Sequence, residues 1–497
     1  MIVIIFFLFI FVLLYFHLTR NFNYWRNKEI PYDAPKFLVG SALPLIVQKQ
    51  SMGEYLWGLY NKSSFSCYGF YVFDQPFLLA KDAALVKMIL TKDFEYFDDR
   101  TFANNINNDK LSGLSLLLLK NPLWKSYRPR FTSTLSLAKV KAMLPLLTDA
   151  AEDFAQYLEN VCSKSDIIEC RHLSIKYSVD VFAACAFGIK SKSFENSDFF
   201  KMAGNLQNSS SSRVIQSVSY YFAPMLLKLM KGTFLEPKSV EFIKQVFLNN
   251  IKLRRKENVT KGDLIDLLLE MDEKLDDFSI EENGLAISLE YLIAGYMSCA
   301  TILSFLLYEL CLNESMQKRI RSEVESALCG KKTISYSSVH KMTYLDMAVK
   351  ETLRKYPILP FLDRRCKKPY SIPNTDIIID KDIPVFISLL GLHYDPKYFP
   401  EPHKFDPERF SPDSKNEIKD CVYLPFGEGR RNCPGSVLGS LTVKIAVIKL
   451  LQHFEITRSE VTPPTIDYEH AGFILTPRNE EINVQFKKLP TTEVLHH

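Results

Sequence analysis

One cysteine lies among neighbours that suit a reactive or metal-binding thiol. Residues 426–439 read FGEGRRNCPGSVLG, which places Cys433 between an arginine pair and a Pro-Gly step. A disulfide, a zinc ligand, a nucleophile and a heme ligand are all possible, and each needs different companions. The ten cysteines are scattered and form no CxxC pair, which argues against a disulfide framework. Cys421 and His453 are too sparse for a zinc cluster, and the segment lacks the histidine that a thiol nucleophile needs.

Heme ligation requires the least of the surrounding sequence, because the porphyrin supplies four nitrogen ligands and one side chain is then enough. Pro434 suits the first position of a helix that runs to about His453, so we expect Cys433 at a helix N-terminus. Backbone N–H groups and the helix dipole would stabilise a thiolate there and lower its pKa.

The remaining residues of the segment fit the same role. Gly429 and Gly435 permit a tight turn and a close approach of the backbone to the sulfur. Arg431 can reach a heme propionate, and Phe426 can pack against the macrocycle. A buried, inert cysteine would leave both glycines and the arginine unexplained, so the segment favours a heme ligand.

The pattern Phe426-x-x-Gly429-x-Arg431-x-Cys433-x-Gly435 resembles the heme-binding signature of the cytochromes P-450, the heme-thiolate monooxygenases. The resemblance implies that heme b (iron protoporphyrin IX) is the cofactor and that Cys433 is the axial ligand of its iron. It also implies the reaction, in which one oxygen atom from dioxygen is inserted into a lipophilic small molecule with electrons derived from NADPH.

Other motifs follow in the order in which the family has them. ETLR contains Glu351 and Arg354, and FDPERF supplies Arg409. The resemblance implies that these three side chains form a cluster that locks the loop ahead of Cys433. The cluster has a structural role and not a catalytic one.

The resemblance also implies which residues hold the heme propionates. WKSYRPRF is similar to the family's Trp-x-x-x-Arg helix, in which Trp124 and Arg128 would contact a propionate. Arg364 in FLDRRCKKPY matches a second propionate-binding arginine, and Arg365 is the alternative. The resemblance covers essentially the whole chain, and several stretches look most like the insect microsomal branch that metabolises xenobiotics.

Residues 288–310, SLEYLIAGYMSCATILSFLLYEL, are apolar almost all round, which predicts a helix through the core rather than a second membrane span. In the family this helix carries Ala/Gly-Gly-x-acid-Thr at the place where dioxygen is activated. The present chain has Ala294, Gly295, Met297 and Ser298 at these positions. By resemblance, Ala294 and Gly295 leave room for dioxygen and Ser298 keeps the hydroxyl, which makes these three the predicted catalytic residues.

Met297 stands where the family has an acid, and a thioether cannot carry a proton. Three outcomes remain open. Ser298 and water deliver the protons that O–O cleavage needs, or the enzyme runs a reaction without external protons, such as an isomerisation, a dehydration or a peroxide-driven oxidation. In the third outcome the chain binds heme and a ligand without turnover.

The elements that must position these residues are mostly helical. Apolar spacing of three and four residues predicts helices from about 124 to 355, and residues 66–81 read as short strands. Residues 472–486 read as a hairpin that turns at PRNEE. We expect a mainly α fold with a smaller β part (α+β). The resemblance implies the cytochrome P-450 fold, with heme between the core helix and the helix of the cysteine loop.

The N-terminus is apolar enough to cross a bilayer, since no charged residue precedes Arg20. A basic leader and a small-residue cleavage site are missing, which favours a retained helix over a signal peptide. We expect a membrane anchor over residues 1–19, a Pro-containing hinge over 20–45 and a single catalytic domain over 46–497. The basic residues after the span place the body in the cytoplasm, and the resemblance implies the endoplasmic reticulum membrane.

Three apolar stretches are the predicted substrate surfaces: 111–121, 356–361, and 219–230 as a loop that dips into the membrane. The net charge of +4 is too small to indicate nucleic-acid binding, so we expect no nucleic-acid partner. The resemblance implies electron transfer from NADPH–cytochrome P-450 reductase, with cytochrome b5 as a further donor. The expected docking surface is basic and consists of Lys125, Arg128, Arg130, Arg430 and Lys444.

Overall fold

Amphipathic helical patterns fill most of the sequence, and helices form most of the fold. The computed structural model describes residues 2–206, 211–330, 333–414, 418–478 and 482–490. The α-helices before residue 260 are α1 Ile2–Thr19, α2 Tyr24–Asn27, α3 Leu43–Ile46, α4 Met52–Tyr60, α5 Ala83–Lys87, α6 Lys110–Gly113, α7 Leu123–Ser133, α8 Leu137–Ala142, α9 Leu144–Cys162, α10 Cys170–Phe187, α11 Asp198–Asn205, α12 Ser211–Phe222, α13 Pro224–Leu229 and α14 Pro237–Glu257.

The later α-helices are α15 Leu264–Lys274, α16 Leu285–Leu312, α17 Glu314–Leu328, α18 Tyr336–Lys341, α19 Thr343–Lys355, α20 Leu389–His393 and α21 Ser436–His453. Short π-helical turns occur at Met88–Lys92 and Ile280–Gly284. Short 3₁₀ turns occur at Phe94–Tyr96, Ser193–Glu195, Pro407–Phe410 and Gly429–Arg431.

The strands are short and lie before residue 170 or after residue 360. They are β1 Cys67–Val72, β2 Gln75–Ala80, β3 Ile167–Glu169, β4 Phe361–Arg365, β5 Tyr370–Ser371, β6 Ile378–Ile379, β7 Pro384–Ser388, β8 Phe454–Thr457 and β9 Asn483–Lys488. A four-stranded sheet has the order β1-β2-β7-β4, with β2 and β7 parallel and the other pairs antiparallel. The strands predicted in 66–81 and the mainly α class with a smaller β part are confirmed.

The predicted C-terminal hairpin is wrong. The strand β9 exists, but it pairs with β8 and β3, and residues 472–478 contain no strand. Residues 479–481 of the expected turn lie outside the described residues. The pattern predicted a strand correctly and its partner wrongly, because strand pairing depends on which edges the rest of the fold brings close.

The predicted core helix is confirmed as α16. It is 28 residues long and buried along most of its length, since helices α10, α19 and α21 pack around it. Gly295 faces α10, where an added Cβ would lie 2.5 Å from Phe182 Cζ. On the side of α21, Cys299 Sγ donates to the Gly439 carbonyl oxygen at 3.7 Å. These contacts hold the cysteine loop, which precedes α21, at a set distance from α16.

The Glu–Arg–Arg cluster forms as expected. Arg354 Nε and Nη2 donate to the Glu351 carboxylate at 2.7 and 2.8 Å, and Arg409 Nε lies 3.5 Å from Glu351 Oε1. Arg354 Nη1 donates to the His393 carbonyl oxygen at 2.9 Å, and His393 Nε2 accepts from the Leu424 N–H at 3.1 Å. The buried ion pairs therefore fasten α19 to the segment that leads into the cysteine loop.

Within the described residues, two helices are long and apolar enough to span a membrane. None of the residues of α1 is buried, whereas the other candidate, Ile280–Leu312, is mostly buried inside the protein as the core helix. In the segment after α1, Trp25 is buried and its Nε1–H donates to the Phe70 carbonyl oxygen at 3.2 Å. This segment thus contacts the four-stranded sheet directly. The division of the chain into anchor, hinge and catalytic domain stays a prediction.

Residues 219–230 are helical, so the expectation of a loop is wrong there. Tyr220 and Tyr221 at the end of α12 are buried, whereas Met225 and Leu229 of α13 are about four-fifths exposed, at 80% and 78%. The stretch is therefore divided into a part that joins the core and a short helix with an exposed apolar face.

Candidate active site

One face of α16 opens on a space inside the protein. Ala294 is exposed, and Ile293, Met297 and Ser298 are partly exposed, although most residues around them are buried. These positions share one side of the helix, and Glu290 extends that side by one turn. Because α16 runs through the core, this accessible face lines an internal cavity.

Cys433 faces the same cavity. Protein atoms surround the Cys433 thiol, yet part of the residue's surface is accessible, so that surface borders an internal space. The Cys433 N–H donates to the Phe426 carbonyl oxygen at 2.7 Å, which closes the loop behind the sulfur. The thiol interacts electrostatically with Arg128 and with Glu290 of α16. The predicted ligand and the predicted oxygen-activating helix thus lie across one cavity.

The local environment of the thiol differs from the expectation. The helix α21 begins at Ser436 with Gly435 as its N-cap, so Pro434 precedes the helix and does not occupy its first position. Burial raises the pKa of the Cys433 thiol, and the Gly435 N–H and the charge of Arg128 only oppose this effect. The expected lowered pKa is wrong for the protein alone, because desolvation outweighs the helix end. A bound metal ion reverses this balance, since a coordinating thiol is deprotonated.

The glycines of the loop serve different purposes. Gly429 has φ +75°, and a Cβ there would collide with the Leu90 carbonyl oxygen, so its tight turn requires glycine. Gly435 has φ −90°, and a Cβ there would lie 3.9 Å from Cys433 Sγ, an ordinary contact. The turn and the close approach of backbone to sulfur expected at Gly435 are present, but its φ does not require glycine, and the missing side chain leaves free space directly beside the sulfur.

Buried cations gather beside the cysteine loop. The Arg364 side chain is fully buried; its Nη1 donates to the Asp363 carbonyl oxygen at 2.8 Å and its Nε has no partner within the described residues. Arg365 is only partly buried, which favours Arg364 over this alternative. Burial, together with the nearby charge of Arg100, lowers the pKa of Arg364 to about 9.

Arg431 belongs to the same cluster. Its Nη2 donates to Asp99 Oδ1 and to the Leu119 carbonyl oxygen, each at 3.1 Å, and its Nη1 has no partner in the described part of the chain. The guanidinium carbon lies 4.2 Å from the centroid of the buried Trp124 ring, in a cation–π contact. Burial and the charge of Arg100 lower the pKa of Arg431 to about 10.

Two cations that the motifs did not indicate complete the cluster. Arg100 Nη1 lies 3.1 Å from Asp363 Oδ1, and Lys120 donates to the Arg100 carbonyl oxygen. Burial lowers the pKa of Lys120 to about 8. No spacing links Arg100 or Lys120 to a motif, so the sequence carried no signal for their place in the cluster.

The cluster fits the propionates of a heme. Among the described residues, the carboxylates near Arg100, Lys120, Arg364 and Arg431 are those of Asp98, Asp99 and Asp363, and Lys367 also pairs with Asp98 and Asp99, so the cations outnumber the carboxylates. Buried cations in excess, with unpartnered N–H groups, require further anions. The two propionate carboxylates of a heme bound to Cys433 would meet this requirement.

Arg128 sits between this cluster and the thiol. Its Nη1 donates to the Asn432 carbonyl oxygen at 2.8 Å and its Nη2 donates to Asn432 Oδ1 at 2.9 Å. Burial lowers the pKa of Arg128, and the neighbouring Cys433 opposes the shift. Arg128 therefore fastens α7 to the cysteine loop, one residue from the sulfur.

Comparison with known proteins agrees with this site. The family model for Cytochrome P-450 matches residues 31–484. The chain belongs to the cytochrome P-450 family. Cytochrome P-450 6k1 of Blattella germanica is 36% identical over 487 residues, which cover 93% of this chain and 92% of that protein. Cytochrome P-450 6l1 of the same species is 34% identical over 455 residues (91% and 90%). The probable cytochrome P-450 6a13 of Drosophila melanogaster is 33% identical over 472 residues (94% of each chain).

The resemblance to the insect microsomal branch that metabolises xenobiotics is thereby confirmed. As a cytochrome P-450, the protein binds heme b and belongs to a family of monooxygenases of the oxidoreductase class, which take electrons from a redox partner and act on lipophilic substrates. The roles of the individual site residues stay predictions.

The structure brings most of the predicted cytochrome P-450 site residues together. Ala294 and Ser298 share the cavity face of α16, Trp124, Arg128 and Arg364 lie beside the cysteine loop, and Phe426, Arg431 and Gly435 belong to that loop. Gly295 is different, because the space of its missing side chain is taken by Phe182. A reason for glycine at position 295 is therefore helix packing, and not only room for dioxygen.

The expected basic docking surface is smaller than the sequence indicated. Lys444 Nζ lies 2.5 Å from Asp346 Oδ1, and Arg130 Nη2 lies 2.6 Å from Asp277 Oδ2. Lys125 and Arg430 are exposed and form no ion pair within the described residues. Arg128 is bonded to Asn432, and Arg130 and Lys444 are paired with acidic side chains that are distant in sequence.

Proposed function

We propose that the protein inserts one oxygen atom from dioxygen into lipophilic small molecules, with electrons that NADPH–cytochrome P-450 reductase delivers. Cytochrome b5 is a further electron donor in this proposal. The observation that carries it is the cavity lined by the accessible face of α16, which includes Ala294 and Ser298, and by Cys433, whose thiol interacts with Glu290 of that helix and lies beside a cluster of under-compensated buried cations.

Each part of the site has a task in this proposal. Cys433 would bind the heme iron as a thiolate, and the guanidinium groups of Arg364 and Arg431 would hold the propionates through their unpartnered N–H groups. Bound heme supplies the activation of dioxygen. Ala294 has a small side chain on the cavity face, which leaves space over the cofactor. The Ser298 hydroxyl, which forms no hydrogen bond within the described residues, would donate to water or oxygen there.

Met297 favours a second candidate function. It lies on the cavity face where an acid would stand, so proton delivery depends on Ser298 and water. A heme-thiolate reaction without external protons, such as an isomerisation, a dehydration or a peroxide-driven oxidation, would not need that acid. A protein that only binds heme and a ligand would not need it either.

The apolar surfaces support a substrate that enters from the membrane. Met225, Leu226, Leu229 and Met230 form an exposed apolar face around α13. We place the protein in the endoplasmic reticulum membrane through α1, with the catalytic part on the cytoplasmic side, because Arg20 and further basic residues follow the span. Xenobiotics such as plant toxins and insecticides, as well as fatty acids and terpenoids, have suitable chemistry.

The test is the yield of product per NADPH consumed in the protein reconstituted with reductase and a lipophilic panel. We would compare the native chain with Met297→Glu, which restores an acid, and with Met297→Leu as the control that changes only the thioether. Substantial native coupling supports a monooxygenase in which Ser298 and water deliver protons. Absent native turnover that Met297→Glu restores, and Met297→Leu does not, would favour the second candidate function.

A further inference from the structure

A carboxyl group on the cavity face of α16 has no role in the site described so far. Glu290 lies one turn before Ala294 and two turns before Met297, so its side chain leaves the helix on the same side. Protein encloses the carboxyl, yet the residue keeps accessible surface, and its charge interacts with that of Cys433. Glu290 therefore opens on the cavity that holds the predicted heme ligand.

Two hydrogen bonds orient this carboxyl. The Leu116 N–H donates to Glu290 Oε2 at 2.8 Å, and Ser115 Oγ donates to Glu290 Oε1 at 3.1 Å. Both donors belong to the apolar stretch after α6, which the sequence predicts as a substrate surface. Each oxygen keeps further acceptor capacity, and no lysine or arginine of the described residues forms an ion pair with Glu290.

Few groups compensate the charge of Glu290. Arg128 of α7 is a cation that interacts with it electrostatically, whereas Tyr127 and Cys433, which also interact with it, carry no positive charge. Residues 111–119 carry no ionisable side chain. The guanidinium of Arg128 is already bonded to the cysteine loop. Burial raises the pKa of Glu290 to about 7 in spite of its hydrogen bonds. A cation placed in the cavity would stabilise the carboxylate.

We propose that Glu290 selects lipophilic substrates that carry a basic nitrogen, which it binds in the cavity as a carboxylate–ammonium pair. The inference rests on the proposed function, in which the substrate occupies the cavity between α16 and the cysteine loop. The leucines of 111–119 contact the apolar body of the substrate and Glu290 contacts its cation. Two helix turns, about 10 Å, separate Glu290 from Met297, so Glu290 does not stand in for the missing acid.

The test measures ligand binding and not turnover. The full-length holoprotein is titrated with N,N-dimethyl-phenylbutylamine and with the hydrocarbon in which CH replaces the nitrogen, and binding is followed by the change in heme absorption. The native protein binds the amine more tightly than its neutral isostere. Glu290→Gln keeps an acceptor for the Leu116 N–H but removes the charge, and it weakens amine binding about tenfold or more while the hydrocarbon is unaffected.

Two variants control the experiment. Glu290→Asp keeps the charge and retains part of the preference for the amine. Glu282→Gln removes a surface carboxylate that pairs with Lys110 at 2.6 Å, and it leaves both affinities unchanged.

Some outcomes would overturn the inference. Equal weakening of both ligands in Glu290→Gln would show that the residue only holds the loop, and an unchanged amine affinity would show that it does not bind the cation. If the hydrocarbon binds the native protein as tightly as the amine, this inference fails and the substrate cavity stands. If neither probe binds the native protein, the proposed substrate cavity fails and the inference fails with it.

Discussion

Replacing Gly295 by alanine separates two reasons for a small residue at this position. A Cβ on Gly295 would lie 2.5 Å from Phe182 Cζ and closer still to two other ring atoms. Carbon atoms in contact prefer a separation of about 3.5 Å, so the ring and α16 would have to part by about 1 Å. Phe182 is only 3% exposed and has little room to move. Packing therefore predicts a cost in stability, whereas a role in oxygen binding alone predicts none.

Overpacking and helix propensity change the stability of Gly295→Ala in opposite directions. Overpacking costs up to about 3 kcal/mol, and alanine recovers about 1 kcal/mol over glycine in a helix interior. We expect Gly295→Ala to lower the free energy of unfolding by about 2 kcal/mol, which for a chain of this size lowers the Tm by about 2 °C. In Phe182→Leu the clash is relieved, so adding Gly295→Ala to that variant should cost nothing further and the two effects should be strongly non-additive.

Thermal unfolding of the detergent-solubilised holoprotein, followed by circular dichroism, measures the four proteins of this cycle. The retention of heme checks each variant before unfolding. A Gly295→Ala protein with native Tm and impaired oxygen chemistry would refute the packing argument. Simple additivity of the two substitutions would also refute it, because the proposed clash requires both side chains.

Three further predictions concern the cofactor site and the cavity. Arg364→Met removes a buried guanidinium that needs an anion, so heme transfer to excess apomyoglobin should become at least about tenfold faster, whereas Arg365→Met at the partly exposed neighbour should not change the rate. Gly429→Ala should abolish stable heme incorporation, measured by absorbance, because its Cβ meets a backbone carbonyl; Gly330→Ala has a similar positive φ but open space and should cost only about 1 kcal/mol. Amine binding should rise about tenfold from pH 6 to pH 8 as Glu290, with a pKa of about 7, loses its proton, and a pH-independent amine affinity would contradict this assignment.

Local motifs located the cysteine loop and several of its partners, because residues within a loop or a helix turn have a spacing that the sequence displays. Trp124 and Arg128 are one turn apart on α7, and Glu351 and Arg354 are three residues apart on α19. Arg100 joins the cation cluster only through the packing of separate segments. No local pattern therefore indicated it.

Burial decided several properties that the sequence predicted wrongly. The expected lowered pKa of Cys433 followed from a helix N-terminus, but desolvation dominates in the folded chain. The sequence predicted that Lys444 belongs to a free basic surface, but in the folded chain it forms an ion pair with Asp346. The stretch 219–230 was expected as a loop, yet it is helical and its tyrosines are buried. Each of these properties depends on neighbours that are remote along the chain.

By itself, the sequence determined the chemical class of the protein, the apolar core helix and the apolar N-terminal helix, since these depend on residue type, spacing and length. Tertiary structure alone decided which face of α16 opens on the cavity, why Gly295 is small and which of Arg364 and Arg365 is buried. It also placed Glu290 across from Cys433. The physical reason is that the orientation, burial and electrostatic compensation of a side chain are set by the elements packed against it. Helical periodicity predicts which residues share one face of a helix, but not which element covers that face.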